Sequence, residues 1–97
     1  DHHSAAKARA DIDETMDGYG SKDLIFDFSR VTFMDSSGIG IILGRYRKLS
    51  QSGGRVAIVG CSAAVRNILN MAGVFSIIGY MDSVGEAIEY LSRKEVS

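Results

Sequence analysis

The run Met34-Asp35-Ser36-Ser37-Gly38-Ile39-Gly40 places an acid, two hydroxyls and two glycines side by side. Ile39, Ile42, Leu43, Tyr46 and Leu49 follow at helical spacing, so the hydroxyls stand in a loop that feeds directly into a helix. Two chemistries suit such a place. In one, Ser36 caps the helix by accepting from the first-turn amides, and Gly38 and Gly40 are packing positions. In the other, a serine exposed at the helix N-terminus carries a phosphate. The unpaired N–H groups and the positive end of the dipole tolerate that anion of about −1.5 to −2 charges. Such a phosphate need not unfold anything. It changes the surface offered to a partner, and Asp35 adds like-charge repulsion beside it. Glycine costs roughly 1 kcal/mol against alanine inside a helix. Gly38, Gly40 and Gly44 therefore weaken this helix unless something approaches its backbone closely.

Other chemistries find no support. A zinc site needs three or four ligands at workable spacing, and only His2, His3 and Cys61 are available, the histidines adjacent at one end. Cys61 lies between a strand and a helix, where a thiol pKa can be lowered. Without a second cysteine or a neighbouring histidine it reads as a small buried residue rather than a redox group. No Gly-x-x-x-x-Gly-Lys loop occurs, and Gly38-Ile39-Gly40 lacks the third glycine of a dinucleotide fingerprint. A serine nucleophile would need a general base, and no internal histidine supplies one. An enzyme is not expected, and no cofactor of its own.

The elements that position the loop alternate. Residues 4–19 are alanine-rich, with Lys7/Asp11 and Arg9/Asp13 at i,i+4 and a stripe of Ala5, Ala8, Ile12 and Met16, which predicts a helix. Leu24 to Phe28 predicts a strand broken by Asp27, an acid expected to tie the strand end to the next loop. The helix after the serine loop ends at Gly53-Gly54, with Arg45, Arg47 and Lys48 as a solvated, dipole-complementing end. Val56–Val59 predicts a second strand. Ser62 caps a helix burying Val65, Ile68, Leu69 and Ala72 and stopped by Gly73. Phe75–Tyr80 predicts a third strand, and the Ser83-x-x-Glu86 capping box opens a last helix burying Val84, Ala87, Ile88 and Leu91. Short strands separated by helices pair in parallel through right-handed crossovers. The fold class is α/β: a small, mostly parallel sheet with helices layered against it.

Composition bounds the rest. The chain has 97 residues, 45% hydrophobic and 24% charged, which fits one domain over 1–97 with one modest core. A net charge of −1 argues against nucleic acid as partner. The longest uncharged apolar stretch, Gly38 to Gly44, is far short of the roughly 20 residues a membrane span requires. One cysteine fits a reducing, cytoplasmic setting.

The stretch Phe26-Asp27-Phe28-Ser29-Arg30-Val31-Thr32-Phe33-Met34-Asp35-Ser36-Ser37-Gly38-Ile39-Gly40 resembles the signature of the STAS domain of anti-sigma factor antagonists. Its continuation, Ile41-Ile42-Leu43-Gly44-Arg45-Tyr46-Arg47-Lys48, is similar to the sporulation branch of that family, which serves sigma F. Ser62 to Arg66 and Met71 to Ile78 resemble its third helix and the strand after it, and Asp1 to Ala5 the stretch that ends its second strand and starts its first helix. The resemblance implies a phosphorylation-controlled partner switch. The unphosphorylated antagonist binds an anti-sigma factor that is also a serine kinase, carrying ATP and magnesium, and so frees the sigma factor. The kinase phosphorylates the serine directly after the motif aspartate, and a serine phosphatase resets the cycle. By position that serine is Ser36. Asp1, Asp35 and Ser37 would line the docking surface, with Gly38, Ile39 and Gly40 as the first-turn surface that the kinase covers.

Family members carry about two strands before the position matched by Asp1. The expectation is therefore a domain nearer about 115 to 120 residues whose N-terminal strands are absent here, cleaved, or supplied by another copy. Three alternatives differ from the first reading. They are an antagonist of a general-stress sigma system, a receiver domain with Asp35 as phosphoacceptor, and the cytosolic STAS piece of an anion transporter. A receiver needs an acidic pair on an earlier strand and a late lysine, and neither can be placed.

Overall fold

In a computed structural model of the chain, residues 23–93 are described. The predicted helix over 4–19 lies outside them. Strand β1 spans Leu24–Asp27, helix α1 Ser36–Gln51, strand β2 Val56–Val59 and helix α2 Ala63–Met71. A 3-10 turn at Val74–Ser76 leads to strand β3, Gly79–Met81, and helix α3, Val84–Ser92. The three strands lie in the order β1-β2-β3, all parallel, with Leu24 opposite Val56 and Ala57 opposite Gly79.

Alternation along the strands builds two cores. Leu24, Phe26, Val56 and Ile58 point to one face, where α1 contributes Ile42 and Leu49 and α2 contributes Val65 and Leu69. Ala57 and Val59 point to the other face and meet Ala87 of α3. Every residue of β2 is buried, so it reads as an unbroken apolar run, as a strand covered on both faces must.

Helix ends follow the expected punctuation. At the end of α1 the Gly54 amide donates to the Leu49 carbonyl at 2.7 Å and the Gly53 amide to that of Ser50 at 3.1 Å. That is a Schellman motif, with Gly53 in the left-handed region. Ser62 caps α2 by accepting from the Val65 amide at 3.2 Å. At α3 the Ser83 hydroxyl accepts from the Glu86 amide at 3.1 Å. The Glu86 carboxylate reaches the Asp82 amide rather than that of Ser83, so the capping box closes one residue early.

Three expectations are corrected. The third strand begins at Gly79, not Phe75. Gly73, at φ 79°, turns the chain into a 3-10 turn, closed by the Ser76 hydroxyl on the Gly73 carbonyl at 2.6 Å. Val74 and Ile78 are both buried there, an i,i+4 pair in a run too short for periodicity to separate turn from strand. Ala72 is exposed, because it is the C-cap of α2 and no longer faces the core. Val84 and Ile88 are 41% and 57% exposed. The stripe of α3 that meets the sheet is Ala87, Tyr90 and Leu91, rotated toward Tyr90, over whose ring the Arg55 guanidinium sits at 4.3 Å.

The loop from β2 to α2 passes very close to the end of β1. Gly60 has φ 77°, and a Cβ there would lie 2.8 Å from Asp27 Oδ1 and 2.9 Å from the Ser29 amide nitrogen. Asp27 Oδ1 accepts from that same amide at 3.0 Å, which gives the strand-end acid the tying role expected of it. Gly60→Ala is therefore expected to lose about 2 kcal/mol or more, from the strained φ and the backbone clash together. Urea denaturation would show a lower midpoint with unchanged slope.

Candidate functional site

The loop joining β1 to α1 is anchored from below by Met34, which is buried in the larger core. Asp35 follows in extended conformation, φ −117° and ψ −173°. Its Oδ1 accepts from the amides of Ser37 at 3.0 Å and Gly38 at 3.2 Å, and its carbonyl accepts from the Ile39 amide at 3.1 Å. The N-cap of α1 is thus Asp35, not Ser36. Aspartate and serine cap equally well, so the local sequence fits either registration and only the backbone turn decides. The carboxyl of Asp35 is held below the usual carboxylate range, chiefly by the Gly38 amide, with desolvation opposing and the Ser37 amide adding to the lowering.

Ser36 becomes the first helical residue. Its side chain is exposed, and the cap amides it would have taken are held by its neighbour. Ser37 and Gly40 are exposed beside it, while Gly38 and Ile39 are half-buried. Ile39 packs against the core cluster and shows only part of its side chain to solvent. The structure therefore brings Asp35, Ser36, Ser37, Gly38, Ile39 and Gly40 together as the N-cap and the start of one helix. Asp1, the other expected member of the surface, lies outside the described residues, as do His2 and His3.

The glycines divide. A Cβ on Gly38 would collide with the sulfur of Met34, so this position supplies the close approach that the sequence demanded. At Gly40 and Gly44 nothing of the described residues beyond the helix's own backbone and chain neighbours comes within 4 Å of that point, so Gly40 is not a packing position among them. Two residues stood in the quoted stretch without a role assigned to them. Met34 sets the floor under the first turn, and Phe33 is 58% exposed just before it. No regular element runs through this loop, so no periodicity separated the inward side chain from the outward one.

Elsewhere, Cys61 is half-buried and desolvation pushes its thiol up to about 11, against the attraction of Arg66. The helix N-terminus beyond it does not activate the thiol, since Ser62 takes the cap. Among the described residues, no group of three or more His, Cys, Asp and Glu side chains comes together, and no helix is long and apolar enough to cross a membrane.

The cap carries a pH signature. A carboxyl whose folded-state pKa is depressed contributes stability above its unfolded value, near 3.8, and loses it as pH falls through the folded value. Asp35→Ala is expected to lower the thermal midpoint at pH 7. The gap from wild type closes as pH is taken below about 3.8, whereas Asp35→Asn, which keeps an acceptor, retains most of the midpoint at pH 7. Calorimetry across that pH range checks both.

The STAS domain family matches residues 1–87. The chain is 34% identical over 91 residues to the anti-sigma F factor antagonist of Paenibacillus polymyxa, covering 94% of this chain and 78% of that protein. The anti-sigma factor antagonist SpoIIAA in its unphosphorylated form superimposes with a TM-score of 0.63 at 34% identity, over 92% of this chain and 77% of that one. The Bacillus cell fate determinant SpoIIAA in the phosphorylated form gives 0.64 at 33% identity, over 92% and 79%. With the family matched across most of its length, and with a capped serine turn on a parallel three-stranded sheet, this chain belongs to the STAS domain family, among the anti-sigma factor antagonists.

Proposed function

We propose that this protein is an anti-sigma factor antagonist whose unphosphorylated form binds an anti-sigma factor with serine kinase activity and so releases a sigma factor, sigma F of sporulation. Phosphorylation of Ser36 ends the interaction, and a serine phosphatase restores it, in the cytoplasm. The observation that carries this reading is the division of labour in the first turn of α1. Asp35 does the capping, so the Ser36 hydroxyl is exposed and not spent on the fold.

The transfer joins the Ser36 Oγ to the γ-phosphorus of ATP and breaks the bond from that phosphorus to the β,γ-bridging oxygen. ADP leaves, and the hydroxyl proton passes to a base on the kinase. Magnesium and nucleotide belong to the kinase; this chain supplies the acceptor hydroxyl and a rigid turn that presents it. On a chain of net charge −1, an added group of about two negative charges is a large local change. A partner surface fitted to a neutral hydroxyl beside one carboxylate then meets about three charges where it had met one. The relatives' regulatory role agrees with a substrate of an enzyme rather than an enzyme.

Incubation with the cognate anti-sigma kinase, ATP and Mg²⁺ should add one phosphate, placed on Ser36 by mass spectrometry and lost in Ser36→Ala. A phosphate on Ser37, or none in the loop, would sink the site. Ser36→Asp should weaken kinase binding in titration calorimetry while leaving the far-UV circular dichroism nearly unchanged. Extensive loss of helix would instead show that the turn does not tolerate an anion.

A further inference from the structure

We propose that Phe33 is the apolar anchor of the surface that meets the anti-sigma factor: its ring enters an apolar pocket on that partner when the partner covers Ser36. The inference rests on the reading of the Ser36 turn as the docking site.

Phe33 is a large ring left in water. Of the large apolar side chains exposed among the described residues it is the aromatic one, at 58%, and it joins neither core cluster. The segment that carries it is nevertheless held on both sides. Val31 packs against the larger core, with its amide donating to the Phe28 carbonyl at 2.9 Å, and Met34 is buried in that core directly after the ring. Asp35 then closes the cap of α1 through the Ser37 and Gly38 amides. A ring displayed from a stretch pinned in this way costs less conformational entropy to order on a partner than a ring on a loose loop.

Distance ties the ring to the serine. Three residues of extended chain span at most about 11 Å, which bounds the backbone separation of Phe33 and Ser36. A partner that covers Ser36 with an interface of ordinary size masks about 800 Å² of this protein, a patch about 16 Å in radius. Centred on Ser36, such a patch takes in Phe33. The rest of the turn offers little apolar surface, since Ser37 and Gly40 are small and Ile39 is half-buried against the core. Aromatic side chains are enriched at the desolvated centre of protein interfaces, and Phe33 is the one this surface supplies. The matching wall on the partner is apolar, because polar groups set against the ring would lose their water without gaining a hydrogen bond.

Titration calorimetry with the cognate anti-sigma factor tests this, with ADP and Mg²⁺ in place of ATP so that no phosphate is transferred. Phe33→Ala should bind about tenfold more weakly than the wild type, equivalent to about 1.4 kcal/mol. Its heat-capacity change of binding should be less negative, because less apolar surface is buried. The thermal midpoint should stay at the wild-type value, since the ring lies outside both cores. Should the midpoint fall, Phe33→Gln repeats the comparison with a side chain that keeps part of the stem. Equal affinities for the wild type and the variant would overturn the inference and leave the proposed function standing, whereas a wild type that does not bind overturns both. A wild type that sediments as a dimer, dissociated by Phe33→Ala, would assign the ring to a second copy and overturn the inference as well.

Discussion

The burial of β2 on both faces and its pairing on both edges is the constraint on which the rest of the structure depends. All four residues pair in parallel with β1 on one side, Ala57 to Val59 pair with β3 on the other, and all four are buried. Parallel strands cannot be joined by tight turns, so each crossover must travel the length of the sheet, and helices are the economical way to do it. Burying a side chain such as Ile58 or Val59 contributes about 1.5–3 kcal/mol. Against a total stability of about 5–15 kcal/mol, two or three such residues set the scale of the whole domain. With β2 fixed, α1 and α2 are obliged to cover one face and α3 the other.

That frame explains why the serine turn is rigid. The turn stands beyond the C-terminal end of β1, and its floor is Met34, a member of the same core as Phe26 and Ile58. Gly38 is small because Met34 is underneath, and Asp35 is a cap because the chain arrives extended and must satisfy the amides of the new helix. The neighbouring β2–α2 loop is held just as closely, with Gly60 pressed on Asp27 and Ser29. The proposed switch works by changing surface charge, and these contacts hold in place the turn on which it would act.

Where sequence and structure part, the cause is consistent. The fold class, β1, β2 and the helix ends at Gly53, Ser62, Gly73 and Ser83 were legible, because each rests on local chemistry: an apolar run, a left-handed glycine, a hydroxyl cap. The stretch from Phe75 to Tyr80 was misread as strand because a short apolar run carries no period that separates a 3-10 turn from a strand. The last helix was given too broad a buried face because the orientation of α3 is fixed by Ala87 against Ala57 and by the Tyr90 ring under Arg55, contacts between distant residues.

The candidate site divides along the same line. The sequence by itself determined that an acid and two serines precede a glycine-bearing helix and that this helix lies in an α/β layered domain; its likeness to known antagonists is what proposes Ser36 as the phosphoacceptor. It left open which of Asp35 and Ser36 caps the helix, since either side chain can reach the first amides. Only the tertiary structure decided that. The buried sulfur of Met34 and the extended entry at Asp35 start the helix at Ser36, so the carboxylate takes the amides and the hydroxyl faces outward.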